Sequence, residues 1–217
     1  MELNKYIEHT LLKQDATKED FEKLFQEANE NKFFGVCVNP AYVSDAVKAV
    51  KPYGVNVVTV IGFPLGANTT EVKVFETKKA VADGADEIDM VINVSKLKDK
   101  DYDYVIKDIK SVKEACPKNN LKVILETDLL TSDEIGTACE LCIKAGADFV
   151  KTSTGFVKGG VGAKVEDVKL MAETVKSHGL RVKASGGIRD KETAIAMIEA
   201  GADRLGTSSG VAIVTGG

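Results

Sequence analysis

Gly146-Ala147-Asp148-Phe149-Val150-Lys151-Thr152-Ser153-Thr154 runs from the end of an amphipathic stretch into a short aromatic and β-branched segment. Its first three residues recur as Gly84-Ala85-Asp86 and Gly201-Ala202-Asp203. Glycine at that place suits the left-handed residue that closes a helix, and each copy leads directly into a candidate strand. The copies start at 84, 146 and 201, spacings of about two strand–helix units of ~30 residues each. A chain that repeats strand and helix at this period builds a parallel sheet.

Outward from these three points the same alternation continues. Short apolar runs at 36–39, 56–62, 87–93, 122–127, 149–154, 181–186 and 204–208 read as strands, with a weaker eighth at 6–12. Between them Thr17-x-x-Asp20 and Thr131-x-x-Glu134 resemble capping boxes. After the first cap, Phe21, Leu24, Phe25 and Ala28 form a core-facing stripe. An open doubly wound sheet is the alternative, but it usually has fewer strands at this length. Eight units point to a closed α/β architecture, a (β/α)8 TIM barrel in one domain over residues 1–217.

Composition excludes several other classes. With 44% hydrophobic and 29% charged residues the chain is expected to be globular. No apolar run approaches the ~18 residues of a membrane span, and Met1 to Tyr6 does not read as a secretory signal. A cytoplasmic protein is the expectation, with Cys37, Cys116, Cys139 and Cys142 reduced. A net charge of -4 without a basic cluster argues against nucleic acid as partner. Cys139 and Cys142 fall on the core stripe of a predicted helix, so a zinc pair is not expected. His178 precedes Gly179 and reads as a helix-end residue, while His9 is placed at the edge of a site at most. Two scattered histidines make a poor metal centre.

Strands of a parallel barrel should be nearly continuously apolar. Asp89 in EIDMVIN, Lys151 in DFVKTSTGF and Lys183 in RVKASGGIR break that rule. An unpaired buried charge costs several kcal/mol, so these residues are expected in the wet mouth at the carboxyl ends of the strands, where barrel sites lie. Glu87 shares a face with Asp89, and either can be the inward acid. A snorkelling lysine or a structural ion pair is the plain alternative for each group alone. Two lysines in neighbouring strands beside an acid suggest chemistry instead.

An amine attacks a carbonyl only when neutral, and at a pKa of about 10.4 on the order of 0.04% of a lysine is neutral at pH 7. Partial burial and a second nearby ammonium both lower that pKa. A carboxylate, directly or through water, can then move the protons of carbinolamine formation and carbon–carbon cleavage. This pattern predicts Schiff-base chemistry, with the nucleophile unassigned between the two lysines. Ser185-Gly186-Gly187-Ile188-Arg189 and Gly206-Thr207-Ser208-Ser209-Gly210 follow the last two strands, where barrel enzymes commonly bind phosphate, and Thr154-Gly155 can contribute.

The chain resembles the deoxyribose-phosphate aldolase family from Ile7-Glu8-His9-Thr10-Leu11-Leu12-Lys13 to the final GTSSG. The likeness runs through VCVNP (36–40), VIGFPLG (60–66), GADEIDMVIN (84–93), GADFVKTSTGF (146–156) and VKASGGIR (182–189). The resemblance implies reversible cleavage of 2-deoxy-D-ribose 5-phosphate into D-glyceraldehyde 3-phosphate and acetaldehyde, in deoxyribonucleoside catabolism, without metal or organic cofactor. It assigns the Schiff-base amine to Lys151, the pKa-lowering amine to Lys183 and proton transfer through water to Asp89. It puts phosphate at Gly155, Gly186, Gly187, Gly206, Ser208 and Ser209, with Thr154 beside them. It implies a phosphorylated sugar and aldehydes as the partners, and a cytoplasmic, often dimeric enzyme. Two departures stand out. Glu8 occupies a place usually held by Asp, and the last tyrosine is Tyr104, so proton transfer assisted by a tail tyrosine is not expected.

Overall fold

The computed structural model describes residues 1–216. Eight strands close a barrel in chain order: β1 (Ile7–Leu11), β2 (Gly35–Val38), β3 (Asn56–Ile61), β4 (Glu87–Val91), β5 (Asn120–Ile124), β6 (Phe149–Lys151), β7 (Arg181–Ser185) and β8 (Arg204–Thr207). Every neighbouring pair is parallel, and β8 returns to β1 through Ile7↔Leu205 and His9↔Thr207. The helices are α1 (Lys18–Glu30), α2 (Val43–Val50), α3 (Thr70–Ala82), α4 (Val94–Lys98), α5 (Tyr102–Ala115), α6 (Ser132–Ala145), α7 (Val165–Val175), α8 (Lys191–Glu199) and α9 (Gly210–Thr215).

Local sequence sets the helix ends. Both capping boxes form: Thr17 and Asp20 start α1, and Thr131 and Glu134 start α6. Gly146 closes α6 in the left-handed conformation at φ 77°, which costs glycine little because it has no Cβ. Alternation along each strand then separates two cores. Outward side chains such as Val57, Ile88, Met90 and Val182 pack against the helices in one continuous cluster. Inside the barrel a small apolar patch of Leu12, Cys37, Val58, Val60 and Phe63 covers one side. Ile109 of α5 belongs to the outer core and is fully buried. Ile109→Val removes one methylene there and is expected to cost about 1 kcal/mol, read as a lower urea midpoint at unchanged m.

Three expectations need correction. β5 begins at Asn120 and stops at Ile124 rather than running over 122–127, because Glu126 adopts φ 62°, ψ 62° and turns the chain. β6 ends at Lys151, short of 154; beyond it the Thr152 hydroxyl, which accepts from Ser185 N and donates to Ser185 O, takes over the bonding to β7. His9 does not border the barrel mouth. It points outward to α1, where its Nε2 lies 2.7 Å from Glu27 Oε2. No helix among the described residues is long and apolar enough to cross a membrane.

Candidate active site

Strand alternation aims β4 so that Glu87 and Asp89 both enter the barrel while Ile88 and Met90 leave it. The question of which acid points inward therefore has two answers, at two depths. The upper acid, Asp89, meets both predicted lysines. Lys151 Nζ donates to Asp89 Oδ2 at 2.8 Å, and Lys183 Nζ donates to the same oxygen at 2.7 Å. Parallel pairing sets Lys151 opposite Lys183 in adjacent strands, so the two amines share one face and one partner. Lys183 also donates to Glu8 Oε2 of β1. A β-carbon at Gly206 would stand 3.0 Å from Lys183 Cε, so glycine in β8 leaves room for that side chain.

The charged layer extends further down than the sequence pattern suggests. Lys122 of β5 donates to Asp89 Oδ1 at 3.0 Å, pairs with Glu87 Oε2 and lies 3.3 Å from Glu8 Oε1. Arg204 of β8 lies 3.7 Å from Glu8 Oε1 and stacks on Phe34. Glu8, one methylene longer than Asp, spans from Lys183 to Lys122.

Burial and charge act on these groups differently. Burial weakens the hold of Lys151 on its proton. Asp89 opposes that effect, the Lys183 cation adds to it, and the outcome is a pKa below the ordinary lysine value. Burial works against the Lys183 ammonium as well, but Asp89 and Glu8 outweigh it and push its pKa up. Lys122 is likewise raised, with Asp89 and Glu8 overcoming burial. Asp89 is held well below the carboxylate range because Lys122, Lys151 and Lys183 outweigh its burial. The site thus contains one amine that loses its proton readily beside one that keeps it.

Above Lys151 opens a cleft of about 440 Å³ at the carboxyl ends of the strands, a size suited to a small ligand. Gly155, Gly186, Gly187, Gly206, Ser208 and Thr154 line it, together with Thr10, Lys13 and Arg189. Asp89 and Lys183 lie beneath its floor, fully buried. Ser209 stands one residue beyond the lining, and its N–H donates to Thr207 Oγ1 at 2.9 Å. Thr154 turns its polar groups to the protein: its N–H donates to Glu126 Oε1 at 3.0 Å, and its hydroxyl donates to Glu126 Oε2. Asp128 shapes the loop after β6 by accepting from Val161 N and Gly162 N at 3.2 and 2.9 Å. A β-carbon on Gly162 would come within 2.4 Å of the Gly186 carbonyl carbon, so only glycine lets the two loops touch.

Lys122 and Arg204 escaped the sequence reading, and Glu8 was noted there only as a departure from the usual Asp, for identifiable reasons. Lys122 and Arg204 open their predicted strands, where a charge reads as a polar edge, and Glu8 sits in the weakest strand. The available signal was parity, since each lies an even number of residues from an inward neighbour on its own strand. Among the described residues no group of three or more His, Cys, Asp or Glu side chains is placed to hold a metal ion.

A parallel eightfold barrel with paired lysines beneath a cleft at its carboxyl end has the form of an enzyme of the aldolase type. Residues 4–216 match the model of the DeoC/LacD family aldolases. The chain is 60% identical over 216 residues to a deoxyribose-phosphate aldolase of Finegoldia magna, with all of both chains covered. It is also 60% identical to one of an Exiguobacterium species, over 100% of this chain and 97% of that one. Among solved structures, the tetrameric deoxyribose phosphate aldolase of Aeropyrum pernix superposes with a TM-score of 0.90 at 36% identity, covering 98% of this chain and 89% of that one. The chain belongs to the DeoC/LacD aldolase family.

Proposed function

We propose that this single-domain barrel cleaves 2-deoxy-D-ribose 5-phosphate reversibly to D-glyceraldehyde 3-phosphate and acetaldehyde, with Lys151 as the covalent nucleophile. The observation that carries the reading is the meeting of Lys151 and Lys183 on one oxygen of Asp89 under the cleft. The family and the substrate named for its relatives support it.

The neutral Lys151 amine adds to the C1 aldehyde of the open-chain sugar, and the carbinolamine loses water to give a protonated imine. As the C2–C3 bond breaks, its electrons move into the imine and form an enamine. The C3 hydroxyl gives up its proton and leaves as the aldehyde of glyceraldehyde 3-phosphate. Protonation of the enamine at C2 and addition of water release acetaldehyde and restore the amine. Asp89, working through water, takes and returns these protons. Lys183 remains a cation, holds Asp89 in place and, after burial, is the second influence keeping Lys151 neutral. Backbone at Gly155, Gly186, Gly187 and Gly206 and the hydroxyls of Ser208 and Ser209 take the phosphate, with Thr154 fixing the loop beside them.

The same reading makes the small sugar and its aldehyde products the ligands, needs no nucleic acid or membrane, and puts a homodimer in the cytoplasm. Four buried, unpaired cysteines agree with a reducing compartment. Acetaldehyde with cyanoborohydride tests the chemistry. Peptide mapping should find one ethyl group on Lys151, and an unlabelled Lys151 in active enzyme would overturn the assignment.

A further inference from the structure

Beneath the catalytic layer the barrel holds a second tier that the proposed reaction does not use. Glu87 is 5% exposed. Its Oε2 pairs with Lys122, and its Oε1 accepts from Asn120 Nδ2 at 2.7 Å. Asn120 Oδ1 in turn accepts from Arg181 Nη2 at 3.0 Å, at the opposite end of the barrel from the cleft. Upward, Lys122 joins this tier to Asp89 at 3.0 Å, and Asp89 joins it to Lys151 at 2.8 Å. A continuous chain of polar contacts thus runs from the far end of the barrel to the nucleophile.

The charges in this column do not balance while every group is ionised. Glu8, Glu87 and Asp89 supply three acidic side chains, and Lys122, Lys151, Lys183 and Arg204 supply four basic ones. An excess charge in a dry interior is costly, so the cluster reaches neutrality by releasing one proton. Lys183 and Lys122 each face two or more carboxylates, and a guanidinium does not give up its proton. Lys151 has a single carboxylate partner and lies at the open end. It is the group from which the proton leaves most easily.

We infer that Glu87 is a positioning residue that acts through Lys122: by holding this cation low in the barrel, it limits how much of Asp89 Lys122 claims and so sets the pH at which Lys151 becomes neutral. This inference rests on Lys151 being the nucleophile. The three-to-four charge count covers the groups joined by ion pairs inside the barrel, and other groups stand around them. Lys151 faces Asp89 and Lys183, with Cys37 of β2 and Glu126 nearby. Burial pushes the Cys37 thiol up to about 11, so it contributes no charge near neutrality. Glu87 faces Lys122, Asn120 and Arg204.

The sign follows directly. Glu87→Gln removes one negative charge from an already cation-rich cluster and frees Lys122 to lean on Asp89. Both changes disfavour the Lys151 ammonium. The acid limb of kcat/KM, which reports the free amine, should move to lower pH by roughly half a unit. Glu87→Asp keeps the charge but draws it away from Lys122, and should shift the limb the same way by less; it serves as the test if Glu87→Gln does not fold. The pH dependence of cyanoborohydride labelling at Lys151 should shift in parallel. A limb unmoved in both variants, with labelling still at Lys151 and only kcat reduced, would make Glu87 merely structural and overturn the inference. Absence of label at Lys151 in the wild type would instead remove the reading beneath it, so the two failures are distinguishable.

Discussion

Lys151→Arg should lose turnover by on the order of 10⁴-fold or more while the protein stays folded. Arginine keeps a positive charge opposite Asp89, so the buried carboxylate is not left without a partner at that position. What disappears is the ability to become neutral, since a guanidinium stays protonated at any pH the fold tolerates. Cyanoborohydride labelling with acetaldehyde should vanish from position 151. Lys183→Arg is the informative partner. It preserves a cation between Asp89 and Glu8, so labelling at Lys151 should persist. Turnover should still fall by roughly 10²-fold, because the planar fork cannot reproduce an ammonium held by two acids and displaces Asp89 by a fraction of an ångström. If Lys151→Arg kept most of its activity and the label moved to Lys183, the roles of the two lysines would have to be exchanged.

The contrast between those lysines was only half visible in the sequence. Charges interrupting apolar strands at 89, 151 and 183 marked the site, and the Gly-Ala-Asp repeat marked the barrel, because both are departures from a local pattern. The identity of the lowered amine is a different kind of fact. It depends on how many carboxylates face each ammonium, and these come from β1 and β4, separated by about eighty residues of chain. Glu8 was legible only as an unusual letter in a weak strand, yet it is one of the two acids that hold Lys183 charged. Lys122 was hidden by a strand boundary misplaced by two residues. Glu126 carried no periodic signal, since it lies past the end of β5 at φ 62° and its partner Thr154 comes from a distant loop across the mouth. Sequence patterns describe what each strand contributes; the proton balance belongs to the closed ring.

A second large effect is expected far from the cleft, where Lys73 of α3 and Asp108 of α5 form a pair with almost no exposure. Lys73 Nζ donates to Asp108 Oδ2 at 2.6 Å and to Val91 O at 3.0 Å, and Thr70 Oγ1 donates to Asp108 Oδ1 at 2.8 Å. The contact to Val91 ties both helices to the last residue of the strand that carries Asp89. Lys73→Met keeps much of the apolar stem, which packs beside Gly62, but leaves Asp108 buried with only a hydroxyl for company. Breaking such a pair from one side costs about 3–5 kcal/mol, which for a chain of this size lowers Tm by roughly 10 °C. The double variant Lys73→Met with Asp108→Leu removes both charges together and should return to within about 1–2 kcal/mol of the wild type, because the two desolvation penalties vanish along with the attraction. The single variant should keep its kcat per folded molecule, since neither residue touches the cleft. Equal losses in the single and double variants would mean that the bond to Val91, rather than the ion pair, holds α3 to the barrel; a fall in kcat without a fall in stability would mean that β4 transmits the change to Asp89.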